Sequence, residues 1–213
     1  MSSSVGAEMG IGILATKELI VVGGPNGAGK STFVGGYLAQ RPMPYLCADR
    51  IATEFQNLDP ISQQIAAGRE FVRRMEAQLA KDEHFAVEST LSGRTMRNFL
   101  ERARAAGFEV TIVFIYLDSP DSCVVRVRER VRRGGHDVPE TDIRRRFARS
   151  CANFWRIYRR IADYWYVVYN SSGDFKRIAS GEVDFILIRD ESAFRGFLRL
   201  AGEENDAKSE LDD

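Results

Sequence analysis

The apolar run Glu18-Leu19-Ile20-Val21-Val22 empties into a glycine-rich turn, GGPNGAGKST from Gly23 to Thr32, and no other stretch constrains the fold as tightly. Continuous apolarity marks a strand buried on both faces, the condition of a parallel sheet covered by helices. Gly24 to Ser31 matches G-x-x-x-x-G-K-[ST], and a predicted helix, Lys30 to about Gln40, follows it. In that strand–turn–helix setting the backbone N–H groups of Gly24, Pro25, Asn26, Gly27, Ala28 and Gly29 (proline excepted) turn inward. They form an anion nest, reinforced by the helix N-terminus. Lys30 is expected to reach the β- and γ-phosphates of a nucleotide, Ser31 to ligate magnesium, and Thr32 to close the loop.

The rest of the chain alternates in kind. Strands are expected at Tyr45 to Asp49, His84 to Ser89, Glu109 to Asp118 and Tyr164 to Tyr169, with two weaker ones around SGEVD. Helices are expected from about Pro60 to Asp82, carrying Ile61, Ile65, Val72, Met75 and Leu79 at helical spacing, and from Arg94 to Ala106. Another runs from Pro120 to Arg133, with Val124, Val127 and Val131 as its buried stripe. After the break GGHDVP a further helix extends to about Ala162, and a last one spans Glu191 to Ala201. This alternation predicts an α/β fold: a three-layer sandwich on a mostly parallel sheet, in one domain over residues 17–202. Residues 1–16 read as a flexible leader and 203–213 as an acidic disordered tail.

Charge narrows the partners. Formal net charge is zero, so nothing global draws the chain to nucleic acid or an anionic membrane. Arginine nevertheless outnumbers lysine 25 to 5, and 12 arginines fall between Arg126 and Arg160. For most of them a solvated helical surface is the expected role. Cys47, Cys123 and Cys151 lack metal-ligand spacing and read as buried thiols of a reducing compartment. The segment MGIGILA is short and lacks a basic flank, so a cytoplasmic location is expected.

Three chemistries can follow such a loop. A transporter-type ATPase is suggested by LSG at Leu91 to Gly93, but Arg94 and Thr95 stand where that signature continues with Gly-Gln. Ser119 follows Asp118 where a hydrolytic glutamate is required. A switch GTPase needs N-K-x-D, which is missing. A kinase needs a base, acceptor contacts and cations that follow the moving charge. Asp49 and Glu88 close neighbouring predicted strands, which places two carboxylates at the sheet edge by the loop. Arg126 and Arg130 share one helix stripe, Arg144 and Arg145 lie beyond the glycine break, and the two helices together form a helical, arginine-rich lid over about 126–160. A regulatory ATPase engaging a protein partner stays open. So does a polynucleotide kinase that stacks bases on Trp155 and Tyr158.

Five ordered blocks, GGPNGAGKST, CADRIA, ESTLSGR, RVRERVRRGGHDVP and IRRRF, resemble the zeta-toxin family of bacterial P-loop kinases over roughly Glu18 to Gly173. The resemblance implies ATP with magnesium, and transfer to a hydroxyl of UDP-N-acetylglucosamine. It also implies a small antitoxin partner. Asp49 becomes the hydroxyl base; Glu88, Thr90 and Arg94 become acceptor-binding; Arg130 contacts the transferring phosphate. His136, Arg144 and Arg145 compete for the second lid cation. The sequence departs from the family at Cys47, where many relatives carry asparagine, and at Ser89, where threonine is more usual. YNSSG, Tyr169 to Gly173, lies where a base-contacting loop could be.

Overall fold

The computed structural model describes residues 17–171, 173–182 and 185–203. The leader and all but the first residue of the tail lie outside them. Elements run β1 (Glu18–Gly23), α1 (Lys30–Gln40), β2 (Tyr45–Cys47), α2 (Ala48–Ala52), α3 (Pro60–Lys81), β3 (Phe85–Ser89), α4 (Thr95–Ala105) and β4 (Glu109–Tyr116). Then follow α5 (Pro120–Arg132), α6 (Glu140–Arg156), β5 (Tyr164–Ser171), β6 (Asp174–Gly181), β7 (Ile186–Ile188) and α7 (Glu191–Ala201), with short 3-10 turns at Thr53–Phe55 and Tyr158–Arg160.

The described strands form one sheet in the order β2-β3-β1-β4-β5-β6-β7. Its first five members are mutually parallel, β6 runs antiparallel to β5, and β7 antiparallel to β6. The chain leaves β1 toward β3 on one side and later adds β4 on the other, so β1 lies at the switch point where an α/β sheet opens a crevice. This is the expected α/β sandwich with a mostly parallel centre.

Alternate residues feed two cores. Leu19, Val21, Val87, Ile112, Phe114, Trp165 and Val167 face the layer built by α3, α4, α5, α6 and α7. Ile20, Val22, Ala86, Val113, Ile115 and Val168 face the other side, where α1 brings Phe33 and Val34. The larger core is aromatic at its centre: Phe114 stacks on Phe154 at 4.4 Å, and Trp155 meets Trp165 edge-on at 5.8 Å. Each such buried ring contributes about 1.5–3 kcal/mol of transfer free energy.

Several expectations shift. The strand at β2 stops at Cys47, so Asp49 stands in the first turn of α2 rather than on a strand end. On α3, Ile61 and Ile65 are 73% and 52% exposed, because the N-terminal half of this 22-residue helix carries its stripe away from the core. Met75 is buried and Leu79 is packed on the core from the other half. Val131 is an exposed residue at the free end of α5, while Cys123, Val124 and Val127 form its buried face. The helix expected to reach Ala162 ends at Arg156 and continues as a 3-10 turn.

The arginine-rich stretch is anchored more deeply than a free-standing lid. Helix α6 buries Ile143, Phe147, Cys151, Phe154 and Trp155, so it is a fixed member of the larger layer. Three of its arginines are paired: Arg144 with Asp121 and Glu140, Arg145 and Arg146 with Asp142. Trp155 and Tyr158 are 2% and 0% exposed, which removes them as a base-stacking platform. All three thiols are buried, and burial pushes those of Cys123 and Cys151 up to about 12. Native protein at pH 8 is therefore expected to take iodoacetamide at Cys47 at most, and denatured protein at three positions; peptide mapping reads the difference.

Candidate active site

The phosphate loop is built against other strands. Gly24 adopts φ 138°, and a Cβ there would meet the Ile115 carbonyl oxygen at 2.0 Å, so only glycine lets the turn pass β4. Gly29 caps α1 at φ 96°, and a Cβ there would meet Asn170 Nδ2 at 2.3 Å. Ala28 is fully buried beneath them.

Lys30 opens α1 and is 7% exposed. Its Nζ donates to the Pro25 carbonyl at 2.9 Å, curling over the loop, and lies 3.9 Å from Glu88 Oε1. Ser31 Oγ donates to Glu88 Oε2 at 2.9 Å, and the Tyr45 hydroxyl donates to the same oxygen at 2.5 Å. Glu88 is thus a buried carboxylate clamped to the loop between a cation and two hydroxyls. Burial and the Glu88 charge push the Tyr45 phenol well above its ordinary value, which keeps it a donor.

A cleft of about 1010 Å³ opens over the loop. Asp49, Glu88, Asp118, Arg126, Arg130, Tyr169, Asn170 and Phe175 line it with Asn26, Gly27 and Gly29 to Thr32. A side cavity of about 330 Å³ lies beyond Ser31, walled by Val34, Leu38, Tyr45 and Cys47 and rimmed by Arg50 and His136. The two cavities share Ser31, Asp49 and Arg130. Asp49 is half-buried there, with no ion pair or side-chain hydrogen bond to another described residue.

The remaining expected site residues are more dispersed. Thr90 Oγ1 pairs with Ser92 Oγ at 2.9 Å, within a loop held by Asn153 and Tyr158 through the Leu91 and Gly93 carbonyls. Arg94 is the exposed N-cap residue of α4 and faces a separate groove beside α3. Arg144 and Arg145 stand outside both cavities, His136 lines only the smaller one, and Arg126 reaches the Asn170 carbonyl at 3.2 Å. Asp118 accepts from Ser122 Oγ at the start of α5; Glu88, not Asp118, is the carboxylate that touches the loop. Among the described residues no group of three or more His, Cys, Asp or Glu side chains could hold a metal ion on its own. No described helix is long and apolar enough to cross a membrane.

Sequence reading placed Asn170 only in a candidate base-contacting loop and missed its contact with the phosphate loop. From β5 its Nδ2 donates to the Ala28 carbonyl at 2.7 Å, and its Oδ1 accepts from the Gly173 N–H at 3.0 Å. A lone amide ending the apolar run YWYVVY was the available signal. Asn170→Ala strands a buried carbonyl, a loss of about 1–3 kcal/mol. The expected result is roughly tenfold weaker binding of a fluorescent ATP analogue for each 1.4 kcal/mol transmitted to the loop.

Comparison with known proteins agrees with this fold. A chain of the AvrRxo1-ORF1:AvrRxo1-ORF2 complex crystallised with ATP superposes with a TM-score of 0.69 at 13% identity, over 93% of this chain and 66% of that one. The present chain therefore spans just under two thirds of that relative. A chain of the PezAT chromosomal toxin–antitoxin system of Streptococcus pneumoniae superposes with a TM-score of 0.58 at 11% identity, over 94% and 91% of the two chains. At these identities the likeness is one of fold. An uncharacterised protein of Haemophilus influenzae is 28% identical over 124 residues, 58% of this chain and 88% of that protein. The model of the AAA domain family AAA_33 matches residues 19–150, from β1 into α6, and the chain belongs to that family.

Proposed function

We propose that the protein is an ATP-dependent phosphotransferase of zeta-toxin type. It would pass the γ-phosphoryl of ATP to a hydroxyl of a small acceptor, with the sugar nucleotide UDP-N-acetylglucosamine as the first candidate. The observation that carries this reading is the meeting of two cavities at Ser31, Asp49 and Arg130, beside Lys30. A loop that only hydrolysed ATP would have no use for a second cavity opening at the same carboxylate.

In this reading ATP lies in the larger cleft, its phosphates in the nest of Gly24 to Thr32. Lys30 leaves the Pro25 carbonyl for the β- and γ-oxygens. The Ser31 hydroxyl and the Glu88 carboxylate, 2.9 Å apart, suit a magnesium ion shared with the phosphates. When bound, that ion neutralises charge that builds on the phosphoryl oxygens. The acceptor hydroxyl enters from the side cavity and gives its proton to Asp49. Its oxygen bonds to the γ-phosphorus as the bond to the β-phosphate oxygen breaks and ADP leaves. Arg130, on the wall between the cavities, follows the charge across. Thr90 and Arg94, turned elsewhere, are given no part in it. A cytoplasmic location and a small antitoxin partner belong to the same proposal.

Incubation with Mg-ATP, with and without UDP-N-acetylglucosamine, followed by mass spectrometry of both molecules, tests it. A phosphorylated sugar nucleotide, lost in Lys30→Ala, is expected. ADP formed equally without acceptor, and no modified sugar, would transfer support to a partner-driven ATPase.

A further inference from the structure

We infer that Gly135 is a positioning residue for Arg130, and that the Gly134–Gly135–His136 turn exists to aim that guanidinium at the junction of the two cavities. The inference rests on the phosphotransferase reading for its catalytic consequence and on geometry alone for its structural part.

Helix α5 closes with a glycine cap of a recurrent kind. The Gly134 N–H bonds the Val131 carbonyl at 2.9 Å, and the Gly135 N–H bonds the Arg130 carbonyl at 2.9 Å. Gly134 supplies the left-handed residue of that cap at φ 84°, and a Cβ there would meet nothing within 4 Å. Gly134 is therefore explained by backbone conformation.

Gly135 is not. Its φ is not in the positive region, so backbone conformation alone would permit another residue. What forbids one is Arg130: a Cβ on Gly135 would lie 2.5 Å from Arg130 Cγ, 3.2 Å from its Cδ and 3.0 Å from its carbonyl oxygen. Cγ belongs to the stem of the side chain, close to a fixed helix, and cannot yield as a flexible tip can. Beyond Gly135 the chain returns, and the His136 carbonyl accepts from Arg130 Nη2 at 2.7 Å. The stem thus runs over a bare backbone and the head is tethered by the next residue. The Nε is buried with no partner among the described residues, and the side chain lines both cavities. His136 acts here through its main chain, which gives this exposed residue a part independent of its imidazole.

A double-mutant cycle tests both halves. Gly135→Ala should lower the melting temperature in the parent and have little effect when Arg130→Ala has already removed the stem, because contacting residues are not additive. For a chain of this length, about 2–4 °C is the loss that goes with each 1 kcal/mol of destabilisation. With Mg-ATP and UDP-N-acetylglucosamine both saturating, ADP release should fall at least tenfold in Gly135→Ala, the double variant should be no slower than Arg130→Ala alone, and affinity of Gly135→Ala for a fluorescent ATP analogue should stay within twofold of the parent. Gly134→Ala, strained in backbone but with nothing within 4 Å of its Cβ, should lose stability equally with and without the Arg130 side chain.

Equal temperature shifts in both backgrounds would overturn the packing between Gly135 and Arg130. Parental turnover in Gly135→Ala would overturn its catalytic consequence. A parent protein that releases no ADP, even with UDP-N-acetylglucosamine, would sink transfer to that acceptor and the catalytic half of this inference together. The melting cycle would still judge the held geometry by itself.

Discussion

Asp49→Asn is expected to bind Mg-ATP as the parent does and to transfer its phosphoryl group about 10²–10⁴ times more slowly, the usual weight of a positioned proton acceptor. The amide keeps the size of the carboxylate and the first turn of α2, so neither the cavity wall nor the fold should change. What disappears is the group that takes the proton from an incoming hydroxyl at the junction. Single-turnover transfer in the proposed reaction, beside a nucleotide titration, separates the two effects. Equal rates in the two proteins would remove Asp49 as the base.

Glu88→Ala should be the more damaging change, and to folding as well as to transfer. Glu88 is 9% exposed, and it stands 3.9 Å from a Lys30 ammonium whose other contact is the Pro25 carbonyl. Removing one member of a buried pair costs about 3–5 kcal/mol because the other charge is left uncompensated. Here the low end applies, since Lys30 can turn toward the water of the cleft. The variant also strips Ser31 and Tyr45 of their shared acceptor. Thermal denaturation should show the loss directly. Glu88→Gln, which keeps an acceptor oxygen and the shape, should recover much of the stability while binding magnesium poorly. Full stability in Glu88→Ala would contradict the clamp.

The parts of this molecule that sequence displays best are those governed by neighbours along the chain. β1 and β4 announce themselves because strands buried on both faces must be apolar at every position. The loop announces itself because glycines, lysine and serine have fixed roles at fixed spacing. Asp49 was legible as a residue but not as a place: Cys47-Ala48-Asp49 carries no local mark of where a strand gives way to a helix, and pairing of β2 with β3 decides it. The arginines between 126 and 160 misled in the same way. Only the fold shows that Asp121, Glu140 and Asp142 engage Arg144, Arg145 and Arg146, while Arg130 alone of the proposed lid cations reaches both cavities. Tyr45 and Asn170 support the loop from strands 43 and 142 residues away from their partners, a separation no motif spans.

The unequal covering of the sheet has a consequence for how the molecule breathes. Five helices pack one face, whereas α1, the helix that carries Lys30 and Ser31, covers the other with Phe33 and Val34 as its buried apolar residues. Gly35 and Gly36 occupy its middle, where a Cβ would meet nothing within 4 Å, and each weakens a helix interior by about 0.5–1 kcal/mol relative to alanine. Amide protons of α1 should therefore exchange with solvent through local openings well before those of β4. An occupied loop would supply the order that α1 lacks, so nucleotide should be felt first as slowed exchange along Lys30–Gln40 rather than as any change in the aromatic core behind the sheet.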